Sequence, residues 1–388
     1  MKSITEINFQ KIKSVGIRVD FNVPIDEGFK ITDTTRLHRA LETIKFIKEK
    51  KCKILLISHF GRPKDNFEIK YSFQNLIEQF SKILNEKINL ISFEDFSQKG
   101  LSQFKQSEEN IFLLDNIRFF KGEKINDISF SKSITDQLDL YINEAFSASH
   151  RSHASVNQMA KNILSFPGFN FEKEIIAIKE IKNSSKKKLA IIGGSKVSTK
   201  INTLLSLTKS CSNIFIGGAM ANNFLKFKGI PVGDSLLEAD SEKMIEEIYT
   251  IAKQSNCEIH LPLDVVTDKE EKLTIDKLSS NSNFKILDLS ESSINLLDNL
   301  ISKSEIVLWN GPMGMIENEK FSHGSSKLAS LLSSSSSQVV IGGGDTLLAI
   351  NIAGIGFDQF HFVSTAGGAF LEALEDKELP GVEALNQS

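Results

Sequence analysis

The sequence predicts an α/β protein of two lobes, each a mainly parallel sheet covered by helices. Three observations carry that expectation. Short apolar runs of strand length alternate with longer segments of helical period along the whole chain. The length, 388 residues, suits two domains at about 100–200 residues each. Nearly every unusual polar cluster follows directly after an expected strand, which is where open parallel sheets hold their ligands.

The expected strands of the first half are Val15–Val19, Lys53–Ile57, Asn89–Ile91, Ile111–Leu114 and Leu140–Ile142. Those of the second are Lys188–Ile192, Asn213–Ile216, Glu258–Leu261, Lys285–Leu287, Glu305–Leu308, Gln338–Ile341 and His361–Val363. Apolar positions recur at helical spacing in Thr35–Lys50, Tyr71–Leu84, Thr199–Lys209, Asp240–Gln254 and Ser325–Leu332. Pro167 and Gly168 interrupt the chain before a charged amphipathic helix, Glu172–Lys182, and a lysine-rich polar stretch. The domain junction is expected there. Ser333–Ser337 reads as a surface loop, and no internal sequence repeat is visible.

Composition excludes several classes. Hydrophobic content of 40% and charged content of 24% describe an ordinary soluble protein, and a net charge of −3 argues against a dedicated nucleic-acid binder. Cys52, Cys211 and Cys257 lie far apart without metal-ligand spacing, so reduced cytosolic thiols are expected. Residues 1–16 are interrupted by charge and lack the apolar core of a signal peptide. The longest apolar stretch, Val339–Gly356, contains Asp345 and five glycines, so it reads as strand, turn and helix and not as a membrane span.

All six arginines, Arg18, Arg36, Arg39, Arg62, Arg118 and Arg151, precede residue 152, while lysines are spread throughout. Guanidinium grips phosphate or carboxylate through two parallel hydrogen bonds, so the first half is expected to hold a small, multiply charged anion. Asp20 and Asn22 follow the first strand and suit substrate hydroxyls, although they also suit a turn before Pro24. His59, His150 and His153 sit among arginines, where neighbouring positive charge favours neutral imidazole.

The second half carries glycine clusters instead. Gly193-Gly194 precede Lys196 and Lys200, which would share one face of a helix. Gly342-Gly343-Gly344 let the backbone approach a ligand, amides at the helix start can face phosphate, and Asp345 can hold Mg²⁺. Asp345 or Thr346 acting only as a helix cap is the simpler alternative. Gly217-Gly218 and Trp309–Gly314, with Glu317 behind, are consistent with a nucleotide but also with plain turns. The dinucleotide fingerprint G-x-G-x-x-G is absent, which disfavours a nicotinamide-dependent dehydrogenase.

Taken together and in order, these segments resemble the phosphoglycerate kinase family. The resemblance runs through Arg18–Pro24, Ser58–Pro63, Asn116–Phe119, His150–Ser155, Gly193–Lys200, Trp309–Gly314, Gly342–Thr346, Ser364–Gly368 and Glu378–Val382. It implies two Rossmann-like lobes joined by an interdomain helix with a cleft between. Residues 1–166 would bind 3-phosphoglycerate, 167–187 would form the interdomain helix and hinge, and 188–366 would bind nucleotide. Residues 367–388 would return toward the first domain. It further implies reversible phosphoryl transfer between 1,3-bisphosphoglycerate and MgADP in a cytoplasmic monomer, with no nucleic-acid or membrane partner.

By the same resemblance, Asp20, Asn22, Arg36, His59, Arg62, Arg118 and Arg151 would bind the glycerate substrate. Lys196, Lys200, Gly218, Gly314, Glu317, Gly343, Gly344, Asp345 and Thr346 would bind nucleotide, with Glu317 on the ribose and Asp345 on the metal. Arg36, Lys196, Gly344 and Gly367 would surround the transferring group. The departures are Ala366 where the family commonly has glycine, Asp288–Glu291 where it has a Gly-Pro turn, Glu144 for aspartate, Phe120 for histidine and Ser152 for alanine. A non-catalytic phosphometabolite-binding protein is the alternative that the same anion sites would serve.

Overall fold

The computed structural model describes every residue except Asp65, residues 280–282, Asp376 and Ser388, the last two falling in the expected C-terminal segment. The chain divides into two compact units, Met1–Ile176 with Glu378–Ser388, and Ala177–Lys377. The division falls inside one helix, Phe169–Asn183.

The first unit is built on β1 (Ser14–Arg18), β2 (Lys53–Ile57), β3 (Asn89–Ile91), β4 (Ile111–Leu114), β5 (Leu140–Asn143) and β6 (Ser165–Pro167). They form one parallel sheet in the order β3-β4-β2-β1-β5-β6. Burial on both faces explains why β2 and β4 read as nearly continuous apolar runs and not alternating ones. The helix Thr35–Glu49 buries Leu37, Ala40, Ile44 and Ile47 against the sheet. Phe21, Phe73 and Phe80 pack with ring centroids 5.1 and 5.7 Å from Phe80, which accounts for phenylalanine as core filler. Phe120 joins the same kind of packing with Phe93, Phe96 and Phe130, so its ring is structural.

The second unit repeats the architecture with β7 (Lys188–Ile192), β8 (Asn213–Ile216), β9 (Glu258–His260), β13 (Ile306–Asn310), β14 (Gln338–Gly342) and β15 (Phe362–Val363). Their order is β15-β14-β13-β7-β8-β9, again parallel. A small antiparallel sheet, β11-β10-β12, is formed by β10 (Asp264–Thr267), β11 (Lys272–Thr274) and β12 (Ile286–Leu289).

Several elements differ from expectation. β6, β10 and β11 are strands of three or four residues whose signal is too short to read, and the run near Lys285 belongs to the antiparallel sheet. Tyr71–Leu84 is not one helix but two 3₁₀ turns and the helix Ile77–Leu84, because Ser72 and Phe73 are drawn to Asp115 through bonds of 2.9 Å each. Lys196 and Lys200 do not share a helix face: the helix begins at Ile201, so both lie on the turn before it.

Three further departures from the family pattern have local explanations, while nothing in the structure explains Ser152. Asp288 and Leu289 end β12, and the helix Glu291–Ser302 starts two residues later, so no Gly-Pro turn is required. Asp264 accepts from the backbone N–H groups of Ser292 and Ser293 at 2.7 and 2.8 Å and so caps that helix from outside. Glu144 does likewise for Phe169–Asn183, accepting from Asn170 N–H at 3.1 Å and Thr43 Oγ1 at 3.0 Å. Burial pushes the Glu144 carboxyl up to about 8, against those hydrogen bonds. Ala366 is tolerated because the left-handed backbone belongs to Gly367, at φ +58°.

Candidate anion sites of the two units

Each parallel sheet has a switch point, where the chain's direction of travel across the sheet reverses and a crevice opens at the strand ends. In the first unit this lies between β1 and β5, and in the second between β7 and β13.

In the first unit, the turns after β1, β2, β4 and β5 stand side by side. Asp20 Oδ2 accepts from Arg36 Nη1 at 3.0 Å and Ser147 Oγ at 2.6 Å. Arg36 Nη1 also donates to the Asn22 carbonyl at 3.0 Å, which fixes this arginine in the first turn of its helix. A cation at a helix N-terminus is unfavourable without an anion nearby, and Asp20 supplies one until a ligand does. Asp20 also takes Asn22 N–H at 3.3 Å, so it shapes the turn as well as presenting its carboxylate.

Gly61 joins this cluster to the next. Its N–H donates to Asn22 Oδ1 at 2.8 Å, and its carbonyl accepts from Arg118 Nη1 at 2.8 Å. It has φ +59°, and a Cβ there would stand 2.5 Å from the Tyr71 ring, so only glycine fits. Beyond it, Arg62, Arg118, Lys124, Arg151 and His153 line a pocket of about 250 Å³.

Beneath that pocket lies a buried layer. Arg18, 1% exposed, donates Nε to Ser155 Oγ at 2.9 Å and contacts His59 Nδ1 at 3.0 Å through Nη2. Ser155 in turn donates its hydroxyl to Glu123 at 2.6 Å. Burial raises the Glu123 carboxyl, with Arg18 and the Ser155 hydrogen bonds opposing. Burial, then Arg18 and Arg118, hold His59 well below the usual imidazole range. His153 is pushed down to about 4 by burial and by Arg118, Arg18 and Arg151. Both imidazoles are therefore neutral at pH 7, as expected among arginines. Burial, then Arg18 and Arg151, push Arg118 down to about 10, so it stays cationic. Crowded like charges of this kind suit a dianion such as phosphate.

The arrangement refines the expected set. Arg62, Arg118 and Arg151 share the pocket; Arg36, Asp20 and Asn22 form the cluster beside it; His59 lies below, turned to Arg18. Lys124 was missed, because reading arginine as the marker passes over lysine. Its signal was its place six residues after Arg118. It also donates to the Pro63 carbonyl at 3.1 Å.

In the second unit the turns after β14, β13, β7 and β8 are neighbours, and they are the four glycine clusters of the sequence. Lys200 Nζ sits at the switch point, donating to Gly193 O at 2.7 Å and Asn310 Oδ1 at 2.6 Å. Asn310 Nδ2 reaches Gly342 O at 2.6 Å, and Gly311 N–H donates to Thr346 Oγ1 at 2.7 Å. Thr346 Oγ1 in turn donates to Gly342 O at 2.8 Å, so its hydroxyl locks the turns together. Gly193 must be glycine, since a Cβ would lie 2.1 Å from the Pro312 carbonyl. Asn310, given no role in the sequence reading, is the side chain that joins three of the clusters.

Above these turns lies a pocket of about 480 Å³ with Gly194, Gly218 and Gly314 on its walls, Leu225, Val265 and Met313 as apolar lining, Asp234, Asp288, Glu317 and Asp345 as acids, and Lys285 as a cation. Asp345 is exposed in the first turn of Gly344–Ile352, and nothing stands within 4 Å of where a Gly344 Cβ would be. Lys196 is exposed on the turn and does not line the pocket. Among the described residues no three His, Cys, Asp or Glu gather as a metal cage. A single carboxylate beside helix-start amides fits a Mg²⁺ that keeps water and phosphate as its other ligands.

Burial pushes Lys200 down to about 8, with Asp345 opposing. A polyphosphate bound beside it, as the resemblance implies, would favour the charged form and raise that value again. Binding of MgADP is therefore expected to take up a proton between about pH 8 and 9, and affinity to fall as pH rises above about 8. Calorimetry in buffers of different ionisation enthalpy reads this directly. Proton-neutral binding across that window contradicts it.

The comparisons agree with one another. A family model described as phosphoglycerate kinase matches residues 4–377. The chain is 38% identical to phosphoglycerate kinase of Wolbachia sp. subsp. Drosophila simulans (strain wRi), over 97% of this chain and 96% of the relative. It is 39% identical to that of Prochlorococcus marinus (strain MIT 9312), over 100% and 99%. The solved structure of phosphoglycerate kinase from Coxiella burnetii is similar with TM-score 0.89 and 35% identity, covering 100% of this chain and 99% of the other. That from Pyrococcus horikoshii OT3 is similar with TM-score 0.83 and 25% identity, at the same coverage. No helix among the described residues is long and apolar enough to cross a membrane.

Proposed function

The chain belongs to the phosphoglycerate kinase family, and on that premise we propose that the first unit holds 3-phosphoglycerate or 1,3-bisphosphoglycerate and the second holds ADP or ATP. The activity is reversible phosphoryl transfer between these pairs, a phosphotransferase step of glycolysis with a carboxyl group as acceptor. The observation that carries the assignment of ligands is the pocket of Arg62, Arg118, Lys124 and Arg151, a cation cluster that suits a phosphate monoester.

Asp20 and Asn22 take the glycerate hydroxyl and carboxylate region, and His59 positions Arg18 below them. Arg36 lies nearest the transferring group. Lys200 and the amides of Gly343 and Gly344 meet the nucleotide phosphates, Gly218 and Gly314 flank the nucleoside, and Glu317 accepts from the ribose. Lys196 and Gly367 complete the surroundings of the phosphoryl group, and Thr346 holds the turns that present the amides. Mg²⁺ held by Asp345 would neutralise charge on the phosphate oxygens.

The 3-phosphoglycerate carboxylate attacks the γ-phosphorus of ATP; the new C–O–P bond forms as the bond to ADP breaks. A carboxylate carries no proton to remove, so no general base is assigned. In-line placement, exclusion of water and cationic neutralisation supply the rate. Bringing ligands of separate units together requires a closing motion, which we assign to residues 167–187 with residues 367–388 attending. The proposal extends to a monomer in the cytoplasm that uses Mg²⁺ and binds neither nucleic acid nor membrane.

The test is a coupled assay in which MgATP and 3-phosphoglycerate yield ADP. Binding of both ligands without turnover would favour a sensor built on the same fold.

A further inference from the structure

A buried carboxylate in the wall of the second unit's pocket has no part in the scheme above. Asp288, on β12, is 2% exposed, and no cation contributes to its environment. Its two oxygens are spent on backbone N–H groups: Oδ1 accepts from Leu289 at 2.8 Å and Oδ2 from Gly324 at 2.9 Å. Gly324 stands in the first turn of the helix His323–Ser333, whose own N-cap residue, Ser322, makes no side-chain cap. Asp288 therefore caps that helix from a neighbouring strand, as an anion suits a helix start.

What this cap holds in place is the pocket wall. On the capped turn, Ser325 Oγ accepts from Met313 N–H at 2.9 Å, and one residue before Asp288 the Leu287 carbonyl accepts from Met315 N–H at 2.9 Å. Between those two bonds lies Gly314, packed so closely on Asp288 Oδ1 that a Cβ there would collide with it. Met313, Gly314, Met315 and Glu317 all line the pocket. We propose that Asp288 is a positioning residue for the nucleoside: its carboxylate ties β12 to the helix start and so fixes the Met313–Glu317 wall that flanks the sugar. The inference rests on reading this pocket as the nucleotide site.

The role demands the ionised form. Both oxygens face N–H donors, so a proton on one of them, or the NH₂ of an asparagine, would set donor against donor. Burial pushes this carboxyl up to about 7, with the N–H groups of Gly324, Leu289 and His323 opposing. The charged and titratable groups of the surrounding elements are turned elsewhere. On β10, Asp264 is bonded to Ser292 and Ser293; on the helix, the exposed His323 imidazole faces Glu291 at 3.5 Å; Glu317 and Lys285 are exposed. The competent, ionised form predominates above about pH 7, so nucleotide affinity should weaken as pH falls through that value. This lies on the opposite side of neutrality from the Lys200 effect.

The experiment titrates MgADP calorimetrically, at saturating Mg²⁺, into the unaltered protein and Asp288→Asn, and follows turnover in both. Asp288→Asn should bind MgADP about tenfold more weakly at about pH 7.5, the scale of one buried hydrogen-bond mismatch. With a tenfold loss on protonation, affinity of the unaltered protein should fall roughly fourfold from about pH 7.5 to about pH 6, a step absent from the variant. In the variant, kcat with both substrates saturating and KM for 3-phosphoglycerate should stay within about twofold of the unaltered values. A variant with a lower Tm but unchanged MgADP affinity has lost only a structural cap and overturns the proposal. A loss in kcat in place of affinity overturns it, as does a pH step that persists in the variant. If Asp288→Asn does not fold, the unaltered protein decides, and a flat profile between those pH values overturns the proposal. All these results leave the nucleotide site standing. Absence of MgADP binding by the unaltered protein overturns the proposal together with the reading beneath it.

Discussion

Replacing Arg36 by alanine is expected to lower kcat by roughly 10³ or more while MgADP binding survives, the scale seen when a phosphate-neutralising arginine is lost. Arg36 is pinned by Asp20 and the Asn22 carbonyl, each at 3.0 Å, yet its side chain is 32% exposed. It is thus held in place without being enclosed, as a cation must be to meet a group arriving from elsewhere. It stands outside the pocket formed by Arg62, Arg118 and Arg151, so losing it should not abolish capture of the glycerate phosphate. Steady-state kinetics with calorimetric MgADP titration separates the two effects. Near-normal turnover in Arg36→Ala would remove this arginine from the chemistry.

The second large effect is expected from Lys200→Met, which should lower kcat/KM for MgATP by about 10²–10³. Methionine fills much of the same space but removes the charge. It leaves Gly193 O and Asn310 Oδ1, now bonded at 2.7 and 2.6 Å, without their donor at the point where three glycine turns meet. Binding of 3-phosphoglycerate, which depends on the first unit, should be unchanged. Lys196 is the contrast. It is exposed and makes no contact with Gly193 or Asn310 of the kind Lys200 makes, so Lys196→Ala should harm turnover more than nucleotide binding. Equal loss of 3-phosphoglycerate binding in Lys200→Met would show general unfolding and count against a local role.

Much of the fold was legible because parallel strands are buried on both faces. Lys53–Ile57, Ile111–Leu114 and Lys188–Ile192 are uninterrupted or nearly uninterrupted apolar runs, and their limits agree with the structure. β10 and β11 were not legible. They are short, β11 is partly exposed, and Asp264 looks like a turn residue when its carboxylate in fact caps a helix that begins 27 residues later. The lysines at 196 and 200 misled through spacing alone, since four residues means one face only if a helix is present.

The site divides in the same way. Glycines and arginines announce themselves by being costly or distinctive, and they marked the strand ends. Residues that earn their place by convergence do not. Asn310 is an ordinary polar residue until the sheet order sets β14, β13 and β7 side by side. Gly61 drew no reading of its own within Ser58–Pro63, and only the structure reveals that its peptide links Asn22 to Arg118.

The central claim is that guanidinium groups of one unit and main-chain amides with lysine of the other hold two different phosphates. A crystal structure with 3-phosphoglycerate and MgADP soaked together reads this most directly. The glycerate phosphate should lie among Arg62, Arg118 and Arg151, and the nucleotide phosphates against Lys200 and the amides of Gly343 and Gly344. Either phosphate bound on the other unit, or away from both clusters, would contradict the account.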